Sequence, residues 1–251
     1  MGFVLAGRVL RATWNPAGGL RYHLRARRHR TRAWAPFRAE LDAWLATWKP
    51  AARTLAIVGP SGGYCLPASL LARFERLLCF EPDPIARLIL AHRLKQLPGN
   101  REVVWFTRDV WVTPLLRGGG SGVPAALLTP DCALLFANFL GQVAFLVPDQ
   151  RWPEFAAAWQ ASLWPLLASI PWASFHDRVS GEIAPRLPHG ESGAVRLGDE
   201  QIVALYGPDQ AGELLDHRAT ELLPTGARYA YFDWPIVPGR HHLIEGVLGL
   251  S

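Results

Sequence analysis

Between residues 54 and 137, short apolar runs alternate with longer amphipathic stretches. Thr54–Val58 (TLAIV), Leu77–Phe80 (LLCF), Val103–Phe106 (VVWF) and Cys132–Ala137 (CALLFA) have the length and composition of strands buried on both faces, and Trp172–Phe175 is a fifth. Helical spacing fills the gaps. Pro67–Phe74 reads as a helix, and Asp83-Pro84 supplies the cap and first-turn proline of another, with Ile85, Leu88, Ile89, Ala91 and His92 toward its core side. Residues 152–168 read as a Trp-rich helix that Pro165 is expected to kink or break.

The flanks read differently. Pro16-Ala-Gly-Gly19 is a turn signal, and Leu20–Arg32 is a helix with a basic face. Pro36 opens a second helix, in which Phe37, Leu41, Trp44, Leu45 and Trp48 form one apolar stripe, and Lys49-Pro50 ends it. Gly118–Gly122 is a Gly-Ser loop, and residues 182–198 have no clear period. Glu200–Leu205 and Glu213–Leu222 carry helical spacing. Arg228–Trp234 and His242–Leu248 are strands joined by Val237-Pro-Gly-Arg240, short enough for an antiparallel hairpin.

Five strands spaced for parallel crossovers and a terminal hairpin predict an α/β fold. It is a doubly wound seven-stranded sheet, mostly parallel, with a C-terminal antiparallel hairpin. Residues 1–50 form a basic helical N-terminal cap on an α/β domain of residues 51–251, together one structural unit.

Composition narrows the class. Half of the 251 residues are hydrophobic and 19% charged, as in a globular chain with a large core. Cys65, Cys79 and Cys132 are odd in number and far apart, which argues against a disulfide framework and a structural zinc site, so no metal is expected. Met1–Trp14 is too short and too Arg-interrupted for a signal peptide, and no apolar run is long enough to span a membrane. A cytoplasmic protein is the expectation. The net charge of +5 is concentrated: residues 1–50 hold ten Arg and Lys against Glu40 and Asp42. Arg21–Arg32 offers a nucleic-acid or anionic-surface contact. Without regular aromatic interleaving it is better read as a solvated helix face, and a small-molecule substrate is the favoured partner. The sequence leaves the oligomeric state open.

The candidate chemistry centres on Gly59-Pro-Ser61-Gly-Gly63, which leaves the first strand. Gly59, Ser61 and Gly63 fit G-x-S-x-G, the turn that exposes a nucleophilic serine. Ser61 with Asp177 or Asp216 and His241 fills a hydrolase order loosely, but the strands and oxyanion loop expected upstream are missing. The stronger reading is a small-residue loop that lets a nucleotide-like cofactor approach the backbone, with Glu81, closing the next strand, placed to accept from two ribose hydroxyls. Asp109 ends the third strand. Asn138 and Gln142 follow the fourth, and His176-Asp177 the fifth, all on the edge where such sheets bind ligands. His176 has the near-neutral pKa of a general base. His241 and His242, adjacent in a strand, point to opposite faces and make a poor metal pair.

With these residues in place, the chain resembles the class I S-adenosylmethionine (SAM)-dependent methyltransferase superfamily over about residues 54–251. TLAIVGPSGGY resembles that family's first strand and glycine motif, and LLCFEPDPIAR its second strand, with Glu81 as the ribose acid. VVWFTRD places Asp109 where the family often contacts adenine. ALLFANFLGQ resembles the fourth strand, whose end faces the methyl group, and YAYFDWPIVPGRHHLIEGVL is similar to the antiparallel last two strands. The resemblance implies SAM as cofactor, held by Gly59, Ser61, Gly63, Glu81 and Asp109, with Asn138 and His176 facing an unidentified acceptor. Two positions depart from the pattern. Ile57 stands where the first strand usually ends in an acid, and Ser61 replaces the middle glycine. Asn138-Phe-Leu-Gly141 replaces the tetrapeptide of amino-methylating nucleic-acid enzymes. The alternatives are a non-catalytic methyltransferase-like module and the serine hydrolase using Ser61.

Overall fold

The computed structural model describes residues 19–119, 122–187, 192–207 and 214–249. Residues 16–18 of the first turn signal, part of the Gly-Ser loop, part of the 182–198 segment and Glu213 lie outside them. The chain opens with α1 (Gly19–His29) and α2 (Ala35–Thr47), then alternates: β1 (Thr54–Val58), α3 (Ala68–Leu71), β2 (Arg76–Phe80), α4 (Pro84–Leu94), β3 (Glu102–Phe106), α5 (Thr113–Leu116), β4 (Cys132–Ala137), α6 (Leu140–Val143), α7 (Trp152–Leu167) and β5 (Trp172–Gly181). It closes with β6 (Ser192–Gly193), α8 (Asp199–Tyr206), β7 (Leu215–Asp216), β8 (Arg228–Val237) and β9 (Arg240–Leu248).

The sheet order is β3-β2-β1-β4-β5-β9-β8-β6, with β7 pairing β5. The first five strands in this order are mutually parallel, and β9 enters antiparallel between β5 and β8. Seven full strands form the mostly parallel, doubly wound sheet with a C-terminal antiparallel pair that the sequence predicts, and the two-residue strands β6 and β7 are additions to it. The order reverses at β1, which has β2 on one side and β4 on the other. The carboxyl ends of β1 and β4 are therefore the topological switch point, the place where open parallel sheets bind ligands.

Both faces of the sheet are covered, which is why its strands read as continuous apolar runs rather than alternating ones. One face buries Ala56, Val58, Leu78, Phe80, Leu134 and Phe136 against Trp152, Phe155, Trp159 and Leu163 of α7 and Trp111. The other buries Leu55, Ile57, Leu77, Cys79, Leu135 and Phe175 with Phe37, Leu41, Trp44 and Leu45 of α2. The N-terminal helices thus share a core with the sheet. Phe37 stacks on Trp234 of β8 at 5.0 Å, and Trp34 Nε1 donates to the Ile236 carbonyl. No helix among the described residues is long and apolar enough to cross a membrane.

Three sequence expectations are corrected. The α7 helix is not broken at Pro165 and continues to Leu167. The proline falls in the last turn, where buried Leu163, Leu166 and Leu167 hold the chain against the sheet. β5 runs on to Gly181, because its polar residues pair along the whole of β9, up to Gly181 with His241. Of the helix expected over 213–222, the described residues form β7, which pairs Asp216 with Val179, and a 3-10 turn, Ala219–Leu222.

Candidate functional site

The glycine turn and the β2 acid meet as the fold requires. Gly59, Ser61 and Gly63 all take positive φ (70°, 48° and 69°), so the chain doubles back immediately after β1. At Ser61 this is a conformation that a side chain disfavours. A Cβ on Gly59 would lie 3.0 Å from Cβ of Phe139, so only glycine lets the β1 and β4 loops pass this closely. Glu81 is 6% exposed. Its carboxylate accepts from the Ser61 N–H at 2.8 Å and from the Asp83 N–H at 2.9 Å. Burial raises its pKa to about 7 against the downward pull of those two donors. Asp83 caps α4 at the Ile85 N–H as expected, and Glu81 is bound to the loop's own backbone.

The loop is held from the N-terminal side as well. His23 of α1 bridges the Tyr64 hydroxyl (3.0 Å) and Asp83 (3.1 Å). Arg93 donates to the Gly62 carbonyl. Asp109 lies past β3 as expected, yet its carboxylate caps α5: it accepts from the N–H groups of Trp111, Val112 and Thr113 and from the Thr113 hydroxyl. Burial would raise its pKa, but these donors outweigh it and the net shift is downward.

A second feature shares no lining residue with the turn. A cavity of about 560 Å³ opens at the ends of β4, β5, β8 and β9, with Tyr22 and Arg25 of α1 forming part of its wall. Asn138, Gln142, Asp177, His217 and His242 line its polar side. Asn138 has φ +55°, a strained conformation stabilised by two contacts to β5. Its Oδ1 accepts from the Asp177 N–H (3.0 Å), and its Nδ2 lies 3.4 Å from Asp177 Oδ2. Gln142 Nε2 donates to the same carboxylate oxygen at 2.7 Å, and His242 Nδ1 lies 2.9 Å from the other. Asp177 is buried, which by itself would raise its pKa. The electrostatic interaction and hydrogen bond with His242, joined by His217 and the Asn138 amide, instead hold it down at about 2, so it is an anion at neutral pH.

The structure does not bring His176 to this cavity. Successive side chains on a strand point to opposite faces, and here Asp177 takes the cavity side. His176 is sealed on the far face, bonded to Ser174 Oγ (2.9 Å), with Glu245 at 3.5 Å, too long for a full hydrogen bond. The hydrolase triad is not assembled either, since His241 pairs with Asp233 and Asp177 with His242. Arg21, Arg27 and Arg28 stay exposed on α1, while Tyr22 stacks on Trp34 rather than facing outward.

His217 was not singled out by the sequence reading. It follows β7, donates from Nδ1 to the Gly141 carbonyl (2.8 Å), and has Nε2 3.1 Å from Ser180 Oγ. Burial lowers its pKa, which favours the neutral ring. One ligating atom from each of Asp177, His217 and His242 lies within 4.8 Å of the other two. Asp177 and His217 reach His242 from distant parts of the chain, whereas the adjacent His241 does not belong to the cluster.

No protein-family model and no curated protein matches this chain. Among solved structures, the N-methyltransferase NodS from Bradyrhizobium japonicum WM9, in complex with S-adenosyl-L-homocysteine, is similar over 98% of both chains, with a TM-score of 0.48 and 11% identity. The magnesium protoporphyrin IX methyltransferase ChlM from Synechocystis PCC 6803, with the same product bound, is similar over 88% of this chain and 86% of its own, with a TM-score of 0.46 and 11% identity. The glycopeptide N-methyltransferase MtfA, complexed with SAM, covers 84% and 93%, with a TM-score of 0.40 and 12% identity.

Proposed function

We propose that the chain is a SAM-dependent methyltransferase acting on a small molecule that enters the cavity beside β4. One observation carries the reading. At the switch point of the sheet, a buried carboxylate just past β2, Glu81, meets the backbone of a three-fold left-handed turn leaving β1. The donor set suits an adenosine: an acid for two ribose hydroxyls and a loop without bulky side chains at its turns. SAM would supply an electrophilic methyl group on sulfur. Gly59, Ser61, Gly63, Glu81 and Asp109 would hold it, with the Ser61 N–H giving up Glu81 so that the acid turns to the ribose. Asn138, at the tip of β4, would face the acceptor, whose polar group is met by Gln142 and Asp177 on the cavity side. Holding nucleophile and methyl close and aligned accounts for much of the rate in such a displacement. His176, walled off from the cavity, is given no part in it.

A second reading has its own observation. Glu81 is already satisfied by Ser61 and Asp83, and Phe139 lies over Gly59, as in a module that keeps the fold without the cofactor. Calorimetric titration with SAM separates the two. Saturable binding that Glu81→Ala removes supports the enzyme, and no binding supports the module.

A further inference from the structure

The polar side of the cavity is built by strand register from three places in the chain: Asp177 on β5, His217 just after β7 and His242 on β9. The β5–β9 ladder sets Ser180 opposite His242, and the β5–β7 ladder sets Ser180 opposite Leu215, so both rings converge on the bulge that follows Asp177. We propose that Asp177, His217 and His242 form a site for a first-row divalent transition-metal ion, with open coordination positions facing the cavity.

The donor set is the first argument. Two imidazoles and one carboxylate on one face suit Zn²⁺, Fe²⁺ and their neighbours in the series, whereas Mg²⁺ and Ca²⁺ prefer all-oxygen ligands. Spacing is the second. Ligands about 2.1 Å from one ion lie roughly 3.0–3.5 Å apart, so a cluster already within 4.8 Å closes on an ion through small side-chain movements. The third is outer support. The Gly141 carbonyl accepts from the His217 Nδ1–H, so the ring's lone pair sits on Nε2, 3.1 Å from Ser180 Oγ, while Gln142 and Asn138 orient the carboxylate, as second partners do around metal-binding histidines and acids.

A purely structural hydrogen-bond network accounts for most of these contacts but leaves one group without a partner. Gln142 Oε1 is buried and accepts no hydrogen bond from any of the described residues, although the same amide's nitrogen is bonded to Asp177. It is a further oxygen donor on the same wall of the cavity. Arg25 and Arg240 also line the cavity, so the open positions would be filled by water or by an anionic group of a bound molecule. The site does not depend on the methyl-transfer reading.

The test uses full-length, tag-free protein stripped with chelator. Zn²⁺ is titrated by calorimetry, and Co²⁺ by its visible absorption. The expected result is one equivalent bound at micromolar affinity or tighter, with His217→Ala and His242→Ala each weakening it at least about tenfold. Cys65→Ser, which removes a thiol that does not line the cavity, should leave it unchanged. His242→Gln keeps a donor for Asp177 and serves if the alanine variants do not fold. Failure of both ions to bind the wild type, or binding that His217→Ala and His242→Gln leave intact, overturns the proposal.

Discussion

Replacing Glu81 by glutamine tests the buried acid on which the cofactor reading turns. The side chain is 6% exposed, and burial moves its pKa from 4.5 to about 7 in the folded protein. An acid with a raised folded pKa binds its proton more tightly in the native state. Its contribution to stability is therefore complete below pH 4.5 and is lost as pH rises through 7. At 1.36 kcal/mol per unit, the swing is about 3 kcal/mol. Glutamine does not titrate, so the difference in unfolding free energy between variant and wild type isolates this group from others that titrate nearby, such as His217, whose lowered pKa has the opposite slope. Near pH 4.5 the variant should be equal to wild type or weaker, since its amide sets an N–H donor against either the Ser61 or the Asp83 N–H. That mismatch costs about 1–3 kcal/mol. By pH 8.5 the balance should have moved by about 3 kcal/mol in favour of glutamine. Urea unfolding of both proteins at half-unit steps from pH 4.5 to 8.5 gives the curve. A difference that stays flat with pH would refute the reasoning.

Other substitutions probe the supports of the site. Gly141→Ala puts a Cβ 2.8–3.0 Å from Cβ, O and N of Asp177, where β5 backbone cannot yield, so it should cost about 1–3 kcal/mol by denaturant unfolding. Gly63→Ala combines a φ of +69° with a Cβ 2.7 Å from Leu90 Cδ1, and its strain of about 1–3 kcal/mol should appear as a lower midpoint of thermal unfolding. Trp159→Phe removes a fully buried indole whose Nε1 donates to the Leu222 carbonyl at 2.7 Å. That carbonyl keeps a second donor in Trp164 Nε1, so the loss of packing sets most of the cost, about 2 kcal/mol by urea unfolding.

The parallel strands were legible because each is buried on both faces and so written in apolar residues; Cys132–Ala137 matches to the residue. What lay beyond Phe175 was not. His176, Asp177 and Arg178 look like a strand end, and they continue as strand only because β9 and β7 supply partners from far along the chain. The same non-local pairing explains why residues 213–222 carry helical spacing yet contain β7. In the site, the convergence of Ser61 and Glu81 follows from one motif and one spacing, both local. The direct bond between them does not follow, because it depends on how tightly His23 and Asp83 hold the turn. The Asp177–His217–His242 cluster was out of reach for a different reason. It is a product of register and a bulge, and sequence showed only the two adjacent histidines, one of which turns to Asp233.

Isothermal titration of SAM into the full chain at pH 8, where Glu81 is mostly ionised, is the most direct test of the central claim. The account predicts one molecule bound per chain with micromolar affinity, weaker at pH 6 and lost in Glu81→Ala. Absence of binding by wild-type protein at millimolar SAM, or binding that Glu81→Ala leaves unchanged, would contradict it.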